Sequence, residues 1–172
     1  MDLLHKPMFS IPASPGSYDE SFVPASRDAT LTAHSLRRTQ LRADIQHKAI
    51  QSAKLPKPAG PYSPAVTLDR LVFVSGQGAK DPATGQLVGT DIESQTDRVL
   101  KNIAAILEAA GSSLDHVLRC GVFLTDISDF AGMNAAYARA FRTNRPARTT
   151  VQVTALPTPG LLVEIDAIAY IP

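Results

Sequence analysis

Apolar positions along this chain fall into two regimes. Up to about residue 46 they are scattered among Pro7, Pro12, Pro15 and Pro24 with Ser, Gly and Asp, and no period survives. That composition predicts a disordered or draped extension. Its one candidate element is a short basic helix over 34–46, with Leu36, Leu41 and Ile45 on one side. From Ala49 the pattern tightens. A short strand leads to the rigid Pro56-Lys-Pro58 and Gly60-Pro61 turn. Residues 65–68 and 71–75 read as a hairpin around Asp69-Arg70. Asp81-Pro82 and Thr84-Gly85 make the next turn. Asp91 is the expected N-cap of a helix in which Thr96, Val99, Leu100, Ile103, Ile106, Leu107 and Ala110 recur at helical spacing, with Gly111 as the stop. Residues 117–124 form an apolar strand. A second helix starts near Asp126 or Ser128, with a stripe of Ile127, Phe130, Met133, Asn134, Tyr137, Ala138 and Phe141. Strands over 148–153 and 161–170, split by Pro157-Thr-Pro-Gly160, close the chain.

Strands precede, separate and follow two helices, so the fold class is α+β with the helices on one face of a sheet. A single helical layer leaves the other face uncovered. Phe73 and Val122 are expected there, and a face that apolar predicts contact with another subunit. The domain assignment is an extension over 1–46 and one domain over 47–172.

Composition narrows the function classes. An apolar fraction of 44% suffices for a core, and a formal net charge of +1 offers no global field for nucleic acid or an anionic membrane. One cysteine, Cys120, excludes an intrachain disulfide, and its apolar neighbours predict a buried thiol. No apolar run approaches the ~18 residues of a membrane span. The histidines at 5, 34, 47 and 116 lack metal-ligand spacing, so no metal or cofactor is expected. Nothing in 1–46 resembles a secretory signal. Arg27, Arg37, Arg38 and Arg42 suit a mitochondrial segment, but Asp2, Asp19, Glu20, Asp28 and Asp44 do not. A cytoplasmic protein is expected, with a mitochondrial one as the alternative.

The chemistry concentrates in Arg145-Pro-Ala-Arg148-Thr-Thr-Val151. Pro146 holds Arg145 extended, and alternation puts Arg148, Thr150 and Gln152 on one face with Thr149, Val151 and Val153 on the other. An arginine at a strand start, beside a hydroxyl on its own face, is a fork for a small carboxylate. The competing reading is an arginine paired with a nearby Glu or Asp. Further on, Glu164 and Asp166 share one face, opposite Val163, Ile165 and Ala167.

Longer segments extend this. Gly60-Pro-Tyr-Ser-Pro-Ala65, Val72-Phe-Val-Ser-Gly-Gln77, Asp81-Pro-Ala-Thr-Gly85, Asn102-Ile-Ala-Ala-Ile-Leu-Glu-Ala-Ala-Gly111, Val122-Phe-Leu-Thr-Asp126, Phe130, Asn134, Pro146-Ala-Arg148 and Val163-Glu-Ile-Asp-Ala-Ile-Ala169 follow in order. The ordered set closely resembles the RidA (YjgF) family of imine deaminases, from about Lys48 to the C-terminus. The resemblance implies a chorismate-mutase-like fold, a mixed sheet with two helices on one face, and a homotrimer with three clefts between subunits. It implies hydrolysis of reactive 2-imino or 2-enamino acids, such as 2-aminoacrylate, 2-iminopropanoate and 2-iminobutanoate, to 2-keto acids and ammonia. Arg148 then matches the arginine that binds the substrate carboxylate, and Glu164 the glutamate near the reacting carbon. Tyr62, Ser75, Gly76 and Asn134 match positions that line the cleft. Thr150 departs from the pattern, which has cysteine there; a hydroxyl holds water but supplies no thiol. Pro64 replaces the usual glutamine.

Two other functions compete. An endoribonuclease or translation inhibitor would need a basic face and stacking aromatics, and the chain has six Phe, four Tyr and no Trp. A non-catalytic small-molecule binder would use the same cleft without needing Glu164. Nucleic acid and membrane partners are not expected.

Overall fold

The computed structural model describes residues 47–172 apart from 53, 54 and 56. The extension over 1–46, with its expected helix over 34–46, lies outside the described residues, as does Pro56.

The first helix forms where its caps and period agree. In α1 (Ile92–Ala109), the Asp91 carboxylate accepts the Ser94 N–H at 2.9 Å, and Gly111 ends the run with φ +80°. Val99, Ile103, Ile106 and Leu107 on its inner face are fully buried. The second, α2 (Phe130–Ala140), follows a 3-10 turn over Ile127–Asp129, in which Asp126 accepts the Ser128 N–H at 2.8 Å. Met133, Ala136, Tyr137 and the following Phe141 are buried, whereas Ile127 and Phe130 are exposed. The stripe expected from the sequence is thus correct at Met133, Tyr137 and Phe141 and wrong at Ile127, Phe130 and Ala138. Ile127 lies in the 3-10 turn, whose pitch takes it out of the α-helical phase. Arg139 joins the helices by ion pairs of 3.0 Å to Glu93 and Asp97. At that exposure these add little stability.

Six strands complete the fold: β1 (Lys48–Ile50), β2 (Ala65–Leu68), β3 (Leu71–Gly78), β4 (Val117–Leu124), β5 (Ala147–Gln152) and β6 (Val163–Tyr170). Their order is β1-β2-β3-β6-β4-β5. All neighbours are antiparallel except β4 and β5, whose parallel pairing needs the crossover that α2 provides. The hairpin between β2 and β3 turns on Asp69 at φ +54°, a left-handed conformation that Asp tolerates. β6 starts two residues later than its apolar run suggests. The buried Gln95 side chain takes over there, accepting the Leu162 N–H at 2.8 Å and donating to the Gly160 carbonyl at 2.9 Å. The result is an α+β mixed sheet.

The core lies between this sheet and the helices. Val72 and Val74 of β3, Ile165 and Ala167 of β6, and Cys120 and Val122 of β4 face it. Val122 corrects the sequence-based expectation: it is fully buried beneath the helices and absent from the open face. Residues 117–124 are apolar almost throughout, so no alternation marks which side is which. Phe73 does stand on the open face, together with Leu71, Phe123 and Val151. Phe73, Leu71 and Val151 are each more than a third exposed.

Candidate functional site

Arg148 lies on β5 opposite Cys120 of β4, which in turn pairs with Ala167 of β6. Paired residues share a face, so the arginine projects to the helix side. There α2 surrounds it. Its guanidinium carbon sits 4.6 Å from the ring centre of Tyr137 and 5.7 Å from that of Phe130. One guanidinium N–H donates to the Asn134 carbonyl oxygen at 2.7 Å, and another faces the Met133 sulfur at 3.8 Å. Aromatic faces, an amide and a thioether hold the fork in place without cancelling its charge. Among the described residues no carboxylate pairs with Arg148; both ion pairs belong to Arg139. The ion pair offered as an alternative by the sequence is not formed among the described residues. An open hollow of about 430 Å³ adjoins the arginine, walled by Asn134, Tyr137, Phe141, Arg145 and Pro146.

Thr150 projects to the same side, paired with Val122. Its hydroxyl is buried and has no hydrogen-bond partner within the described residues, and the Tyr137 hydroxyl is in the same condition. Buried polar atoms normally find partners; the Thr150 oxygen shares the Arg148 face, whereas the Tyr137 oxygen lies against the Cys120 thiol. The Tyr137 ionisation is pushed far up by burial, and its contact with Cys120 adds to this. Burial likewise raises the Cys120 thiol, partly offset by Tyr137. That thiol is inert core.

Glu164 belongs to the opposite face. It pairs with Phe123, and β6 alternates buried and half-buried residues from Val163 onwards. The Ser75-Gly76 pair lies at an irregularity in the β3–β6 register, between Val74 and Gln77. The Ser75 hydroxyl donates to the Ser63 carbonyl at 2.7 Å, and its N–H to the Pro64 carbonyl at 3.0 Å. Ser75 thus fastens the segment that carries Tyr62. A side-chain carbon on Gly76 would sit 2.3 Å from the Glu164 carboxylate. Tyr62 is half exposed, and its hydroxyl accepts the Ala59 N–H at 3.2 Å. Tyr62, Gly76 and Glu164 line one small hollow of about 70 Å³ with Lys57, Lys80 and Thr158. Burial raises the Glu164 pKa above the usual carboxylate range, and the neighbouring Asp166 adds to it. Asp166 accepts the Gly121 N–H at 2.8 Å, a structural bond across the sheet.

The site residues expected from the sequence thus separate into two groups. Arg148, Asn134 and Thr150 meet on the helix side; Tyr62, Gly76 and Glu164 meet on the other, with Ser75 behind them. The sequence marks Tyr137 and Phe130 only as packing residues, and it carries no motif that marks Lys57 or Lys80. The signal for the aromatic pair was present: Phe130, Asn134 and Tyr137 recur at helical spacing on one face.

Residues 52–171 match the family model described as Endoribonuclease L-PSP. Protein DfrA of Myxococcus xanthus is 52% identical over 127 residues, covering 73% of this chain and 96% of that protein. The human 2-iminobutanoate/2-iminopropanoate deaminase is 43% identical over 127 residues, covering 74% and 92%. A crystal structure of E. coli TdcF with bound serine superposes with a TM-score of 0.67 at 38% identity, covering 72% of this chain and 98% of that one. With fold, motif order and overall identity in agreement, this chain belongs to the Rid (RutC/RidA) family.

Proposed function

We propose that this protein is a cofactor-independent deaminase that hydrolyses 2-imino acids to 2-keto acids and ammonia. The observation that carries the reading is Arg148, a guanidinium held rigid by Tyr137 and Asn134 with no ion-pair partner among the described residues. Such a fork binds a small carboxylate in a bidentate grip. The serine in the TdcF crystal structure is a molecule that carries that group, and the human relative is named for imino acids.

Hydrolysis needs little more than placement. With the carboxylate fixed, the adjacent C=N carbon is held for attack by water. Water adds its oxygen to that carbon and its protons pass to nitrogen. The carbinolamine then collapses, the C–N bond breaks, and ammonia leaves behind a C=O. Glu164 takes and returns the proton, and its raised pKa brings it nearer the working pH. The Thr150 hydroxyl and the Asn134 amide position polar atoms near the carboxylate. Tyr62 and Gly76 shape the space beside Glu164.

Arg148 and Glu164 act at one substrate only if they come from different copies. The apolar open face with Phe73 and Val151 supports a homotrimer, with each cleft built from the helix side of one subunit and the Glu164 side of the next. Coupling a threonine or serine dehydratase to the protein and following keto-acid release tests the reading. Acceleration over the dehydratase alone is expected. A rate equal to that control, with folded protein, refutes it; salt-sensitive RNA binding would instead favour the endoribonuclease reading.

A further inference from the structure

Lys57 and Lys80 stand in the wall of the hollow that holds Glu164. With Ala59 they also line a second hollow of about 320 Å³, bounded on its far side by the turn over 81–85. The second hollow has one acid, Asp81, and that acid is engaged by its own turn. Its carboxylate accepts the N–H groups of Ala83 at 2.9 Å and Thr84 at 3.0 Å, and the Thr84 hydroxyl at 3.3 Å. Neither lysine makes an ion pair among the described residues. The Lys80 backbone is anchored, since its carbonyl accepts from Asn102 at 2.8 Å and from Arg98 at 3.2 Å. The carboxylates among the residues lining these two hollows are Glu164 and the turn-bound Asp81, and neither forms an ion pair with Lys57 or Lys80. If Arg148 takes the substrate's α-carboxylate, a monocarboxylic imine gives these lysines nothing to bind. The Glu164 hollow is small, so a longer side chain has to run along the lysine wall toward the larger space.

We propose that the cleft takes 2-imino acids whose side chain ends in a second carboxylate, and that Lys57 and Lys80 determine that specificity. The proposal rests on the carboxylate-clamp reading of Arg148. Opposite charges at a partly exposed site favour the dianionic substrate, and salt weakens that preference.

The test compares kcat/KM of the full-length protein for two imines made in situ. One is 2-iminosuccinate, from a flavoenzyme that oxidises aspartate; the other is 2-iminobutanoate, from a threonine dehydratase. The wild type is expected to favour the dicarboxylic imine about tenfold, as one charge-assisted contact allows, and less so as salt rises. In Lys57→Ala/Lys80→Ala that ratio should collapse, and in Lys57→Glu/Lys80→Glu it should invert. A wild type that hydrolyses 2-iminobutanoate but ranks it equal or better overturns the specificity and leaves the deaminase reading standing. A ratio unchanged in both double variants overturns it as well. Turnover of neither imine removes the clamp reading and the specificity together. The wild-type ranking decides without depending on how any variant folds.

Discussion

Arg148 and Glu164 stand on opposite faces of the same sheet. The first is in register with Cys120 and Ala167 on the buried helix side, the second with Phe123 on the open side. If one cleft uses both, they come from two copies, and two inactive variants should complement each other. Arg148→Ala and Glu164→Gln, mixed and allowed to exchange subunits, should recover roughly a quarter of the clefts in a closed ring of equal composition. Turnover of the mixture against each parent measures this. A mixture no more active than its parents, with exchange shown by mass, would place the two groups in separate sites.

The clamp itself gives graded expectations. Arg148→Lys keeps the charge but loses the planar fork, and Arg148→Ala loses both. The alanine variant should lose about 2–4 kcal/mol of transition-state binding, or ~30–1000-fold in kcat/KM. Tyr137→Leu removes the ring beneath the guanidinium and should raise KM by roughly 5–30-fold, given about 1–2 kcal/mol for a partly desolvated cation–π contact. Tyr137→Phe keeps that ring and removes only a hydroxyl that lies against the Cys120 thiol, so KM should stay near wild type. Steady-state kinetics on these four variants separate charge, fork and ring.

Gly76→Ala addresses the other side of the sheet. The new carbon would meet the Glu164 carboxylate at 2.3 Å. That carboxylate is the far end of a flexible side chain, so it can turn away at a folding cost of less than about 1–3 kcal/mol. Catalysis should suffer more than stability. A kcat well below wild type with a nearly unchanged melting curve is expected; wild-type kcat would show that the Glu164 position does not matter.

The raised pKa of Glu164 carries a sign that can be checked. Burial, then Asp166, disfavours its charged form in the folded state. The folded protein therefore holds this proton more tightly than the unfolded chain. The resulting stabilisation is fully present below the unfolded value and is lost as pH rises through the folded one. Glu164→Gln should consequently raise the melting temperature at neutral pH relative to wild type, with the gain shrinking toward pH 4, while lowering turnover. Asp166→Asn should move the acidic limb of the activity profile to lower pH. Thermal melts from acid to neutral pH, with matched rate profiles, test both.

A chain starting at His47 keeps β1, the edge strand whose Ile50 is buried against the core. Residues 1–46 show no apolar periodicity, and every matched segment lies beyond them. The shortened protein should retain its melting temperature, mass per assembly and imine turnover. A shortened chain that folds but no longer hydrolyses imines would assign the extension to the site.

The sequence alone determined whatever depends on neighbours along the chain. The period of α1, its Asp91 cap and its Gly111 stop are local chemistry, and the helix lies where they place it. Alternation likewise put Arg148 with Thr150, and Glu164 with Asp166. Motif order was enough to name the family. Tertiary structure decided how those local sets face one another. Period two relates residues within a strand; only the register of β5 on β4 and of β4 on β6 shows that the Arg148 set and the Glu164 set point apart. The same limit misplaced Val122, because a strand apolar on both sides carries no mark of its inner face. That Arg148 has no ion-pair partner among the described residues was also beyond local reading. Whether an acid answers an arginine depends on residues brought together by folding, and here α2 brings an aromatic ring and an amide instead.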